Sequence, residues 1–173
     1  MKEVGIGLLG FGTVGAGVVE ALQRNADLLA RRCGVRLVLR WIADLDLERD
    51  RGVVVDRAIL TRDARAVVED PQVNIVIELV GGTGIARELV TRALELGKPV
   101  VTANKKLLAE YGASLFELAA KQKAELAFEA SVAGGIPIIK SLREGLVANH
   151  IAAAYGILNG TCNYILTRME QEA

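Results

Sequence analysis

The chain has 173 residues, 51% hydrophobic and 24% charged, which suits one domain, or one domain with part of another, and argues against disorder. Its 21 basic and 21 acidic residues cancel, so nucleic acid is not the expected main partner, since a phosphate backbone demands a basic surface. The apolar runs are strand-length, end in glycine or charge and follow no signal peptide; no membrane association is expected, and a cytoplasmic protein is.

In chain order, VGIGLLG (4–10) reads as a buried strand. A long helical pattern follows, with Val14, Val18, Ala21 and Leu22 on one face and a glycine stop at Cys33-Gly34. VRLVLRWIAD (35–44) is strand-like, and RDARAVVED (62–70) is a short helix halted by Pro71. VNIVIELVGG (73–82) is another buried strand, ARELVTRALELG (86–97) a helix with a C-terminal glycine, and KPVVTA (98–103) the next strand. NKKLLAEYGASLFELAAKQKA (104–124) is helical with a candidate break at Gly112, and ELAFEAS (125–131) is one more strand. After Ser131 the alternation weakens. A helix begins near Pro137, HIAAAYGILNG (150–160) reads as a strand, and TCNYILTRMEQEA (161–173) opens a helix for which Thr161 is a plausible cap.

Strands alternating with helices of ten or more residues specify an α/β fold, a Rossmann-type doubly wound parallel sheet covered on both faces. The expected division is a nucleotide-binding domain over residues 1–130 and the beginning of a second domain over 131–173. Cys33 and Cys162 stand far apart in no metal spacing and are expected to be reduced and buried. His150 has no evident partner, and the NGT triplet at 159–161 carries no weight as a glycosylation signal without secretion.

In such sheets ligands collect outside the carboxyl ends of the strands. The irregular stretches GFGTVG, ADLD, ELVGG, TANK and EASVAGG all fall there. GFGTVG, from Gly10 through Phe11, Gly12, Thr13 and Val14 to Gly15, follows a strand, opens a helix and is answered by Asp44 at the end of the second strand. This is the context of a dinucleotide cradle. Gly10 permits a tight turn, Gly12 lets a diphosphate reach the backbone, and Gly15 lets the helix approach the sheet. The helix start offers N–H groups and positive charge to the anion. Asp44 suits a ribose diol and leans toward NAD, although Arg40, Arg49 or Arg51 would accommodate a 2′-phosphate if one points inward. No G-K-[ST] follows the glycines, which sets a P-loop aside.

Asn104 is a good helix cap, so Lys105 and Lys106 open a helix whose positive end disfavours them. Two solvated lysines would be the ordinary reading; the neighbouring loops favour Lys105 as a proton donor or cationic stabiliser of an alkoxide. Gly81-Gly82 either passes the nicotinamide half of a cofactor or makes a plain turn, and Thr102 is a candidate for hydrogen bonding near it. On residues alone, Glu129 satisfies backbone N–H groups in its glycine turn. A monovalent cation is the alternative, since one carboxylate with neutral oxygens suits it better than a divalent ion.

Together GFGTVG, ELVGG, VVTANKKLLA (100–109), EASVAGGIPII (129–139) and GILNGTCNYILTRM (156–169) resemble homoserine dehydrogenases over nearly the whole chain, in order. That resemblance implies a cytoplasmic enzyme reducing L-aspartate 4-semialdehyde to L-homoserine with NADH or NADPH, toward threonine, isoleucine and methionine. It implies a nucleotide domain, a dimerisation region and a substrate domain, and a homodimer or larger assembly. The family's substrate carboxylates and a second lysine would then fall beyond Ala173. By the same resemblance Lys105 lies at the nicotinamide and substrate, and Lys106 faces solvent. Glu129 with the carbonyls of Val132, Gly134 and Ile136 matches a sodium site. The expected cofactor-binding residues are Gly10, Phe11, Gly12, Thr13, Val14, Gly15, Asp44, Gly81, Thr102 and Lys105. A different dehydrogenase of the same fold and a non-catalytic NAD(P)-binding module are the competing readings.

Overall fold

The structure is a computed structural model that describes residues 1–157 and 159–172. Strands β1 (Glu3–Leu9), β2 (Arg36–Ala43), β3 (Leu60–Thr61), β4 (Ile75–Glu78), β5 (Val100–Thr102) and β6 (Leu126–Ala127) form one sheet. Its order is β3-β2-β1-β4-β5-β6, and every pairing is parallel. The order reverses beside β1, so a crevice opens between the carboxyl ends of β1 and β4, the switch point where doubly wound sheets bind ligands.

Helices α1 (Thr13–Arg24), α2 (Ala26–Cys33), α3 (Ala64–Glu69), α4 (Ile85–Glu95) and α5 (Lys105–Gln122) cover the sheet. One core cluster joins Leu8, Phe11, Ala16, Val19 and Ile42. A larger one joins Leu9, Val67, Val76, Leu89, Leu94 and Leu107, from β1, α3, β4, α4 and α5. Central strand β1 contributes to both, which is why it reads as an unbroken apolar run.

Several expectations are corrected. The first helix is two helices, because Asn25 leaves helical geometry at φ −108° and its side-chain amide donates to Ala21 O at 3.1 Å; a short amide side chain competes with the helix backbone in this way. The buried face of α1 is Gly15, Ala16 and Val19, while Val14 is 60% exposed at the mouth of the cradle. Helix α5 runs unbroken through Gly112, which is buried. Strand β3 has only two residues, too few for a periodic signal.

After β6, Glu129–Ser131 and Ala133–Gly135 form short 3-10 turns, followed by α6 (Ile138–Lys140), a π-type turn at Ser141–Gly145 and α7 (Gly160–Glu172). The strand expected over 150–160 does not form in the described residues 150–157 and 159–160; no strand of the sheet pairs with them, and a lone strand leaves its N–H and C=O groups to water. Leu158 of that stretch lies outside the described residues. The cap of α7 is Asn159, whose Oδ1 accepts from Cys162 N at 2.9 Å, and not Thr161. Both cysteines are exposed, against expectation. Among the described residues, no helix is long and apolar enough to cross a membrane.

Candidate nucleotide-binding site

The glycine loop is built by close approach. A Cβ on Gly15 would stand 2.2 Å from Gly10 O, and one on Gly10 would stand 2.7 Å from the Leu79 backbone, with φ already at +96°. These two glycines let α1 and the β4 loop crowd the end of β1. Gly12 differs: a Cβ there meets nothing within 4 Å. Gly12 caps α1 with no side-chain bond and no acidic residue in the first turn, so the amides of Thr13, Val14 and Gly15 have no side-chain acceptor from the cap. Open space above unsatisfied amides at a dipole's positive end is what a diphosphate requires.

Asp44 follows β2 and accepts from Phe11 N at 2.6 Å and from Asp46 N at 2.9 Å. Arg51 points inward: its Nη2 lies 3.3 Å from Asp44 Oδ1, its side chain is 7% exposed, and its guanidinium sits over the Phe11 ring at 4.9 Å. Its Nε donates to Phe11 O. The Asp44–Arg51 pair therefore holds both main-chain polar groups of Phe11, its N–H and its C=O, and fixes the loop. Arg40 turns away to Glu3 at the start of β1, and Arg49 is exposed. A cleft of about 680 Å³ beside this pair is lined by Gly10, Gly12, Asp44, Leu45, Arg62 and Val80. Another depression of about 620 Å³ lies between α3 and α4; there Arg65 pairs with Glu88, and Arg92 with Glu69 and Glu95.

On the other side of the switch point, Gly81 and Gly82 have φ of +78° and +69° and make a left-handed turn after β4. Asn104 caps α5 as expected, its Oδ1 accepting from Leu107 N at 3.0 Å. Lys105 is the first residue of α5 and is exposed; Lys106 is exposed too and reaches Glu110 at 3.8 Å. Thr102 is fully buried. Its hydroxyl donates to Glu78 Oε2 at 2.6 Å and accepts from Asn104 N at 3.0 Å, so it has no hydrogen left to offer a cofactor. Sequence reasoning missed Glu78. The only signal was a carboxylate closing an apolar run, IVIELV, where a strand buried on both faces has no place for an unpaired charge.

Glu129 accepts from Ile139 N at 3.0 Å and Lys140 N at 2.8 Å, so it serves backbone N–H groups, but those of α6 and not those of its glycine turn. The turn that follows is left-handed at Ala133, Gly134 and Gly135. Ile136 O already accepts from Ile138 N at 2.8 Å. One carboxylate with neutral carbonyls remains a donor set fit for a monovalent ion, because each oxygen keeps a second lone pair. Among the described residues, no cluster of three or more acidic, His or Cys side chains suits a metal.

A doubly wound sheet whose glycine loop, acidic strand end and cleft converge on the switch point defines a dinucleotide-binding domain of the Rossmann class. A family model described as the NAD binding domain of homoserine dehydrogenase matches residues 10–129, and a homoserine dehydrogenase model matches 137–173. The chain belongs to the homoserine dehydrogenase family. It is 51% identical over 172 residues to the homoserine dehydrogenase of Neisseria gonorrhoeae, covering 99% of this chain and 39% of that one. For the Bacillus subtilis homoserine dehydrogenase the identity is 44%, with 99% and 40% covered. The chain thus spans about two fifths of the length of these relatives. The crystal structure of a homoserine dehydrogenase from Thiobacillus denitrificans superposes with a TM-score of 0.89 at 47% identity, over 99% of this chain and 39% of that one. A hyperthermophilic archaeal homoserine dehydrogenase in complex with NADPH superposes with 0.67 at 30% identity, over 84% and 50%.

Proposed function

We propose that the protein reduces L-aspartate 4-semialdehyde to L-homoserine with NADH or NADPH, a cytoplasmic step toward threonine, isoleucine and methionine. The observation that carries this reading is the pairing, on one sheet edge, of an uncapped helix start at Gly12 with a lysine at the first turn of α5. Residues 1–130 act as the nucleotide domain, and 131–173 begin the dimerisation and substrate part of a homodimer or larger assembly.

The amides from Gly12 to Gly15 bind the diphosphate, Gly10 and Phe11 shape the loop, and Asp44 orients the adenosine ribose. Arg51, beside Asp44, offers a cation to a 2′-phosphate, which supports use of NADP as well as NAD. Gly81 gives the nicotinamide half room. When bound, the dinucleotide supplies the hydride. Lys105 donates a proton to the developing alkoxide oxygen or stabilises its charge. Thr102 acts from beneath, by holding the turn that carries Lys105. A sodium ion at Glu129, with the carbonyls of Val132, Gly134 and Ile136, would tie this edge to the segment that follows.

The test is homoserine-dependent formation of NADH or NADPH by the protein at its natural length, alongside calorimetric titration with NAD⁺ and NADP⁺. Turnover supports the reading. Binding without turnover of homoserine leaves a nucleotide-binding module and contradicts it. For the ion, thermal unfolding in NaCl against equimolar LiCl should show a higher midpoint in sodium, abolished in Glu129→Gln.

A further inference from the structure

Glu78 is fully buried at the carboxyl end of β4, and among the described residues no lysine or arginine pairs with it. A carboxylate in that position is costly unless its oxygens are bonded. They are bonded by two different loops. Oε1 accepts from Gly81 N at 3.0 Å, in the turn after β4. Oε2 accepts from Thr102 Oγ1 at 2.6 Å, at the end of β5.

The bonds continue from there and close on themselves. Thr102 Oγ1 accepts from Asn104 N at 3.0 Å, and Asn104 Nδ2 donates to Gly82 O at 2.7 Å. Asn104 Oδ1 caps α5 through Leu107 N at 3.0 Å. Ser131 Oγ donates to Thr102 O at 2.9 Å and attaches a third loop. The ring Glu78–Thr102–Asn104–Gly82–Gly81 has all its side chains buried, Asn104 being 8% exposed. It therefore sets the distance between the left-handed glycine turn and the first turn of α5, and with it the place of Lys105. It lies on the β4-β5 side of the switch point, away from Asp44 and Arg51 on the β2 side.

We propose that Glu78 is a positioning residue. It locks the Gly81-Gly82 turn to the Asn104–Lys105 helix start, so that the nicotinamide half of the site is preformed while the adenosine half is held independently by Asp44 and Arg51. This rests on the dinucleotide reading above. Gln at position 78 keeps the shape but, with its oxygen on the Gly81 amide, can bond Thr102 only by donating to its hydroxyl oxygen, which trades a charge-assisted bond for a neutral one and strands the hydroxyl hydrogen. Val at 102 removes the hydroxyl at constant shape, so the first change weakens the ring and the second opens it.

The experiment compares ADP, which occupies only the adenosine half, with NAD⁺, by calorimetry on wild type, Glu78→Gln, Thr102→Val, Thr102→Ser and the Glu78→Gln/Thr102→Val double variant. Glu78→Gln and Thr102→Val are expected to weaken NAD⁺ about tenfold, the scale of one hydrogen bond to a buried charge. ADP affinity is expected to stay within about twofold, Thr102→Ser to match wild type, and the double variant to be no worse than a single one, because residues in one network are not additive. Should Glu78→Gln fail to fold, Thr102→Val carries the same expectation alone. Equal loss of ADP and NAD⁺ binding, or NAD⁺ binding at wild-type strength in Thr102→Val, overturns the proposal. Wild-type protein that binds neither ligand overturns the dinucleotide reading instead.

Discussion

The two ends of the chain use apolar residues in opposite ways. Through β6, leucines and valines such as Leu8, Val19, Leu89 and Leu107 are at most 1% exposed, and every strand has a partner. After Ser131, Val147, Tyr155, Ile157, Leu166 and Met169 are 63% exposed or more, and α7 buries no residue. The same hydrophobic chemistry yields a closed core in one region and an open apolar surface in the other. Sequence composition alone does not reveal this, because both regions look globular. The difference also separates what each region presents: the first holds the loop edge at the switch point, whereas the second presents exposed apolar side chains.

The comparison is sharpest in paired substitutions. Leu8→Ala should cost about 2–5 kcal/mol of unfolding free energy, because the sheet and α1 cannot close over the lost side chain. Leu166→Ala, the same chemical change in α7, should stay within about 0.5 kcal/mol. Denaturant unfolding of the two variants checks this, and an equal loss for Leu166→Ala would break the contrast.

The second effect is on chemistry. Lys105→Ala should lower homoserine oxidation by about 10²–10⁴-fold, the range for a positioned acid or base. Lys106→Ala, which loses only an exposed pair with Glu110, should leave it within a few-fold, about the value of a surface salt bridge. Steady-state assays of the natural-length protein measure both. Smaller still, Arg51→Ala should lower the ratio of NADP⁺ to NAD⁺ affinity by about tenfold, as one charge-assisted contact to phosphate is lost. Separate titrations read that ratio, and an unchanged ratio would remove Arg51 from the 2′ position.

The smallest effect concerns the base of the nucleotide region. Asp70 accepts from Gln72 N at 2.7 Å and from the Trp41 indole at 2.5 Å. The Gln72 amide first, and the indole second, hold its carboxyl below the ordinary value of 3.8. A carboxyl lowered on folding adds stability at pH above that ordinary value, and the increment is lost as pH falls through the lower folded value. Asp70→Asn should therefore be less stable than wild type near neutrality and draw level only as pH falls below the lowered folded value. Fluorescence of Trp41, the single tryptophan, follows the transition.

Legibility followed the range of the interactions. The close approach of Gly15 to Gly10, the strand before them and the Asn104 cap depend on near neighbours, and all were readable from spacing. The inward turn of Arg51 depends on a loop folding back 40 residues onto Phe11, and the Glu78 ring on β4 and β5 lying side by side, 24 residues apart in sequence. No local pattern encodes either. The strand expected at 150–160 erred for the same reason: a short apolar run shows what a segment can do, but a partner decides whether it does.

Gly12→Val examines the central claim most directly. Its φ of −72° suits any residue and a Cβ meets nothing there, so the variant should fold, with no more than the modest loss of stability that a poorer helix cap brings. In calorimetric titration it should lose NAD⁺ affinity by about 100-fold or more, since its side chain would fill the space above the α1 amides. Wild-type affinity in a normally folded Gly12→Val protein would contradict the account.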